Sequence, residues 1–287
     1  MIYLLALGSA LLYGAADFTG GITTRRAGTI PVVFLSQASG LIALALMLPL
    51  LPHSSPSRAD FMWGAAAGLT GGIGVALLYR ALAVGVMAVV APTTAVCAVA
   101  IPVVTAVLLG ERPVPLAVVG IVLGVISIVL VSQQQPALPD PSGSTPAPRL
   151  ASGIGTALAS GVAIGFFFLS LAQTKADAGM WPLVASRLLS VMLFGAIAVA
   201  GRRSLRMPRA SVALAILCGV VDMLANALYL LAAREGPLSI VVTLSSLYPA
   251  STVLLARIVL RERLNLWQIS GVVCALAAVV LIVSGGK

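Results

Sequence analysis

The sequence predicts an all-α polytopic membrane protein, with ten transmembrane helices arranged as two inverted five-helix repeats. Three observations carry that expectation. Of the 287 residues, 60% are hydrophobic and only 9% are charged, against about 25% charged residues in a soluble domain. The charges sit in clusters between apolar runs of about 20 residues, the length that crosses a bilayer core as a helix. The two halves of the chain also repeat one another at a constant offset of 151 residues.

The apolar runs lie near 2–22, 30–51, 61–83, 86–108, 114–132, 150–173, 180–200, 210–233, 237–260 and 266–284. They are too long and too uniformly apolar for barrel strands, and backbone groups in lipid must be paired internally, which leaves helices. The first run has no basic segment before it and contains Asp17, so it reads as a membrane span rather than a signal peptide. The stretch from Gln133 to Arg149 carries Pro136, Pro139, Pro141, Pro146 and Pro148 and reads as a solvated linker. It divides the chain into a first repeat at 1–132, a linker at 133–149 and a second repeat at 150–287.

The offset places Gly85 on Gly236, Glu111 on Glu262, Arg112 on Arg263 and Gly120 on Gly271. Pro31 falls on Pro182, Ser39 on Ser190, Leu109 on Leu260 and Leu130 on Leu281. A gap-free match over so many positions marks an internal repeat. Each half holds five spans, an odd number, so the second half enters the membrane in the opposite sense. Such inverted repeats are typical of secondary transporters.

Basic residues orient the spans. The side of the termini holds Arg58, Arg112, Lys175, Arg234 and Lys287. The other holds Arg25, Arg26, Arg80, Arg149, Arg202, Arg203, Arg206, Arg209, Arg257, Arg261 and Arg263. Eleven against five puts the second side in the cytoplasm of a bacterial-type inner membrane, with both termini outside. The same distribution accounts for the net charge of +9 without nucleic acid, because the basic residues flank spans and form no patch with interleaved aromatics. Cys97, Cys218 and Cys274 lie inside apolar runs at spacings that suit no metal, and His53 is the one histidine, so neither a metal cluster nor a His-based triad is expected. No cofactor is expected either.

Ionisable side chains within spans cost roughly 3 kcal/mol each on insertion scales and ask for a reason. Asp17 in span 1, Arg187 in span 7 and Asp222 in span 8 are such residues. One reading is a polar central cavity, where a carboxylate takes a proton or a cationic group and the arginine an anionic one. The other is an Arg187–Asp222 ion pair that ties two helices, with Asp17 close to the cytoplasmic end of its span. Asn226 lies one turn after Asp222 and Tyr229 three residues further, extending one helix face. Span 9 offers Ser245, Ser246 and Tyr248 before Pro249, a residue that frees backbone carbonyls. Tyr79 in span 3 and Gln37 in span 2 complete the candidates for substrate binding or proton coupling; each hydroxyl or amide could equally serve as an interhelical hydrogen bond. Phe166, Phe167 and Phe168 cannot share one helical face and read as packing or lipid contact. Glycines four apart, Gly64/Gly68/Gly72, Gly120/Gly124 and Gly161/Gly165, read as sites of close helix approach. Glu111 and Glu262 lie at helix ends, as anchors or gate latches.

The repeat marks, with Tyr13-Gly14, Gly110-Glu111 and Gly120 in the first half and Ser246-Leu247-Tyr248-Pro249, Glu262, Gln268 and Gly271 in the second, resemble the ten-helix EamA-type group of the drug/metabolite transporter superfamily. The resemblance covers essentially the whole chain and implies export of small metabolites, amino acids or drugs. It also likens Asp17 to the coupling carboxylate of small multidrug antiporters in that superfamily. The first repeat departs from the pattern: Ala98 stands at the position of Pro249 and Pro102 follows one turn later, so the break in span 4 is expected at another depth.

The leading expectation is a secondary active transporter, proton-coupled and exporting a small metabolite by alternating access. An antiporter of lipophilic cations is the second, and a membrane scaffold or enzyme the third. The enzyme ranks last because the chain has no nucleophile–base pair and no cytosolic catalytic domain. The expected partners are a small-molecule substrate and the lipid bilayer, with a homodimer left open.

Overall fold

A computed structural model describes residues 1–84, 87–131, 153–251, 255 and 266–285. Among them are ten helices and no strand: α1 (Ile2–Ala27), α2 (Thr29–Met47), α3 (Arg58–Val84), α4 (Met87–Leu108), α5 (Pro115–Val131), α6 (Ile154–Ala172), α7 (Trp181–Ala200), α8 (Arg209–Glu235), α9 (Leu238–Ser245) and α10 (Leu266–Gly285). By length and composition α1, α2 with its terminal 3-10 turn, α3, α6, α7 and α8 can each cross a membrane. The other four are apolar with shorter described runs. Large side chains such as Leu4, Leu46, Val104 and Met192 point outward, as a lipid-facing surface requires. The linker at 133–149 and the charged stretch containing Arg257, Arg261, Glu262 and Arg263 lie outside the described residues.

Helix directions establish the inversion. Gly64, Gly68 and Gly72 of α3 meet Pro182, Ser186 and Ser190 of α7 in ascending order, so these helices run parallel. α2 and α3 are consecutive spans and run oppositely. Hence α7 is antiparallel to α2, its counterpart 151 residues earlier, and the second repeat is inverted relative to the first.

The contacts obey the same offset. Thr94 Oγ1 on α4 donates to the Ala157 carbonyl on α6 at 3.1 Å. Its counterpart Ser245 Oγ on α9 donates to the Ala6 carbonyl on α1 at 3.4 Å. Both residues of the second bond are displaced by 151 from those of the first. Likewise Ser190 Oγ reaches the Gly68 carbonyl at 2.6 Å, while Ser39 Oγ reaches the Ile216 carbonyl of α8 at 3.3 Å, beside Gly219. Small residues at these crossings let backbones approach, which is how helices associate where lipid removes the hydrophobic drive.

The two α4-type spans differ. α9 ends at Ser245, the chain turns at 246–247, and helix resumes at 248–251. The Leu247 and Ala250 amides there bond carbonyls three residues back, a tightening that accompanies the donor missing at Pro249. α4 runs unbroken from Met87 to Leu108 through Pro102, so the break expected at another depth in span 4 is not formed.

The α3–α7 seam gives a direct test. A Cβ built at Gly68 would stand 2.3 Å from the Ser186 carbonyl oxygen, whereas one at Gly155 meets nothing within 4 Å. Gly68→Ala should cost about 1–3 kcal/mol in detergent-solubilised protein, read by thermal unfolding, with Gly155→Ala as the neutral control. Equal melting temperatures would contradict the seam.

Candidate substrate and coupling site

A cavity of about 50 Å³ lies at mid-height among α1, α2, α3, α6, α7 and α8. Asp17, Gln37, Arg187, Asp222, Asn226 and Tyr248 line it, together with Tyr13, Phe167 and Phe168. Of the residues singled out from sequence, Tyr79, Tyr229 and Ser246 do not.

The ionic core follows from local helix geometry. Asp222 and Asn226 are one turn apart on α8, so both project inward. The Asn226 side-chain amide donates to the Asp222 carbonyl at 2.6 Å and to its Oδ2 at 3.2 Å. Arg187, 4% exposed on α7, donates through Nη2 to Asp222 Oδ2 and through Nη1 to Gln37 Oε1 on α2. The Arg187–Asp222 ion pair, one of the two readings, is therefore formed. The Tyr13 hydroxyl on α1 donates to Asn226 Oδ1 at 2.8 Å. One chain of hydrogen bonds thus runs Tyr13–Asn226–Asp222–Arg187–Gln37 through four helices.

Asp17 stands apart. It lies one turn after Tyr13 and faces the same cavity, yet it has no hydrogen-bond or ion-pair partner among the described residues. It sits midway along α1, which continues to Ala27, and not at the helix end.

The remaining candidates lie outside the cavity lining. The Tyr229 hydroxyl donates to the Phe168 carbonyl at 2.9 Å, and its ring lies 4.6 Å from that of Phe168. Tyr79 shares a hydrogen bond with the Cys218 thiol at 3.1 Å. Ser246 is buried at the break after α9, its hydroxyl unpaired among the described residues. The phenylalanine run divides by face: Phe166 points outward, whereas Phe167 and Phe168 reach the cavity. Tyr13, Phe167 and Phe168 were not among the candidates. For Tyr13 the available signal was its position one turn before Asp17. The Glu111 carboxylate accepts from the Ser239 hydroxyl and from the Ser239 amide at 3.3 Å, in the first turn of α9.

Breaking a buried ion pair from one side strands the other charge, at roughly 3–5 kcal/mol, while removing both partners is often close to neutral. Arg187→Gln and Asp222→Asn should each lower thermal stability strongly. The double variant should recover most of the loss. Additive losses would mean that the two side chains are not coupled.

The fold is found among solved structures. A solved crystal structure superposes with a TM-score of 0.70 at 17% sequence identity, covering 98% of this chain and 95% of its own; at that identity the likeness concerns the fold alone. Comparison with curated proteins gave no match. The EamA-like transporter family matches at residues 1–133 and again at 151–284. With both five-helix halves matched, the chain belongs to the EamA-like transporter family of polytopic membrane proteins.

Proposed function

We propose that this transporter is a secondary active exporter of a small metabolite, an amino acid or a similar amine-bearing compound, working by alternating access and coupled to protons. The observation that supports this most is the unequal provision for two carboxylates in one cavity. Asp222 accepts from Arg187 and Asn226. Asp17 accepts from nothing described, and a desolvated polar group without a partner is costly. Asp17 is thus open to a proton or to a substrate ammonium group, while Arg187, whose Nη1 is held only by the neutral Gln37 oxygen, can turn that group towards a substrate carboxylate. At about 50 Å³ the cavity has room for a few waters. Ligand sites usually measure about 300–1,000 Å³, so loading requires the bundle to open.

A second reading, exchange of lipophilic cations, draws support from the pairing itself. Arg187 is neutralised by Asp222, and Tyr13, Phe167 and Phe168 line the same cavity as Asp17, a composition that suits a cation with an apolar body. Uptake into proteoliposomes, comparing leucine with a lipophilic monocation under an imposed pH gradient, separates the two.

In the same assay Asp17→Asn should reduce gradient-driven uptake to the level seen without a gradient. Unaltered pH dependence in that variant would remove Asp17 from proton coupling and leave the task to Asp222.

The orientation we propose has both termini outside, on the positive-inside count. A membrane-impermeant thiol reagent should label a cysteine placed beside Lys287 and spare one beside Arg203. The reverse pattern would invert the topology.

A further inference from the structure

The two repeats make the same corner in different ways. In the first, α1 passes to α2 through Gly28 alone, at φ +80°. In the second, α6 ends at Ala172 and α7 starts at Trp181, leaving a longer connection with a 3-10 turn at Ala176–Ala178. The space opened by this connection, at the end of the bundle that carries the termini, is a vestibule of about 600 Å³ between the α2–α3 loop, the α6–α7 connection and the end of α8.

The walls of the vestibule are clamped. The Asp60 carboxylate accepts from the Lys175 amide at 2.9 Å and from the Ser57 amide and hydroxyl at 2.8 and 2.6 Å. The Ser55 amide donates to the Asp177 carbonyl at 2.8 Å. Arg234 reaches the Gly179 carbonyl at 2.8 Å and Thr174 Oγ1 at 3.2 Å. A site held this way is formed before any ligand arrives, which lowers the entropic cost of binding.

Its chemistry is two-sided. Arg234 lines the space and hydrogen-bonds neutral oxygens only; the Asp60 carboxylate acts on its charge but forms no ion pair with it among the described residues, so it keeps donors for an anionic group. Asp177, two residues before Gly179, lines it too, and its carboxylate makes no hydrogen bond among the described residues. Leu48, Met180, Trp181 and Leu231 supply the apolar part. Trp181 begins α7 six residues before Arg187, about 9 Å along the helix axis, and Arg234 lies twelve residues beyond Asp222 on α8, about 18 Å. The vestibule therefore stands over the two helices that carry the central ion pair.

We propose that this vestibule is a second binding site, outside the central cavity, for an apolar amino acid in zwitterionic form: its carboxylate on Arg234, its ammonium on Asp177 and its side chain against Trp181. The proposal rests on the transporter reading for the assignment of this ligand as cargo, not for its binding.

Trp181 supplies the readout. In a Trp63→Phe/Trp267→Phe background, leucine should change Trp181 fluorescence saturably. Leucinamide, which lacks the carboxylate, and N-acetylleucine, which lacks the ammonium, should bind roughly tenfold more weakly or worse, as expected for loss of one charge-assisted contact. Asp177→Asn, which leaves the Ser55 clamp on the main-chain oxygen, should weaken leucine to a similar degree and abolish its advantage over N-acetylleucine. The signal should persist in Asp17→Asn. Equal affinities for the three compounds, no response to leucine, or a response lost in Asp17→Asn but unaltered in Asp177→Asn would each overturn the vestibule site. Binding that depends on Asp177 without any transport of leucine would instead overturn the amino-acid cargo and leave the site standing.

Discussion

A guanidinium in the middle of a bundle has to be met with acceptors on every side, and Arg187 is where this requirement organises the molecule. Removal of a charge from water costs several kcal/mol even after relaxation, and good geometry is needed to offset it. The carboxylate comes from α8 and the amide oxygen from α2, so three helices must be held at fixed distances. The small residues provide those distances. Gly219 of α8 packs on the Ser36 carbonyl of α2, and Gly68 of α3 packs on the Ser186 carbonyl of α7, next to Arg187 in sequence. Larger side chains at either crossing would move the arginine away from its partners.

Scaffold and site treat the pseudo-symmetry differently. The hydrogen bonds that tie helices, Thr94 to Ala157 and Ser245 to Ala6, are related by the repeat. The charged residues of the central cavity are not. Under the offset of 151, Arg187 corresponds to Ser36, Asp222 to Gly71, Asn226 to Val75 and Asp17 to Phe168. Each position holds a charged or amide group in one repeat only. A symmetric frame allows the two faces of the membrane to be opened by equivalent movements, while the set of charged side chains in the central cavity is single and asymmetric.

Much of this was legible in the sequence because membrane insertion restricts the options. Span lengths, the repeat offset and the cost of intramembrane charges each point to few structures, and Asp17, Arg187, Asp222, Asn226 and Gln37 do converge on one cavity. Tyr79 and Tyr229 illustrate the limit. A hydroxyl on a span reads the same whether it faces a cavity or a neighbouring carbonyl, and only packing directs Tyr229 to Phe168 and Tyr79 to Cys218. The phenylalanine run shows the converse. Three consecutive apolar residues must point in different directions, but nothing in their identity says that two of them find the cavity. The unbroken α4 shows that one proline does not decide a helix break when neighbouring helices support the backbone.

The hydrogen-bond chain divides at the boundary between the repeats. Arg187, Asp222 and Asn226 belong to the second repeat and bond one another. Tyr13, Gln37 and Asp17 belong to the first, and they meet the second repeat through two neutral acceptors, Asn226 Oδ1 and Gln37 Oε1. If one repeat rocks against the other, the ion pair travels intact and, within this chain of hydrogen bonds, only these two have to part. That division is economical, because separating the charges themselves would strand them in a medium of low dielectric. Asp17, on the opposite side of the divide, would change its distance from the pair during the same movement. On the proposed function, a proton or ammonium group on Asp17 would act on the energy of opening through the distance between two carboxylates, with no need for the Arg187–Asp222 bond to break.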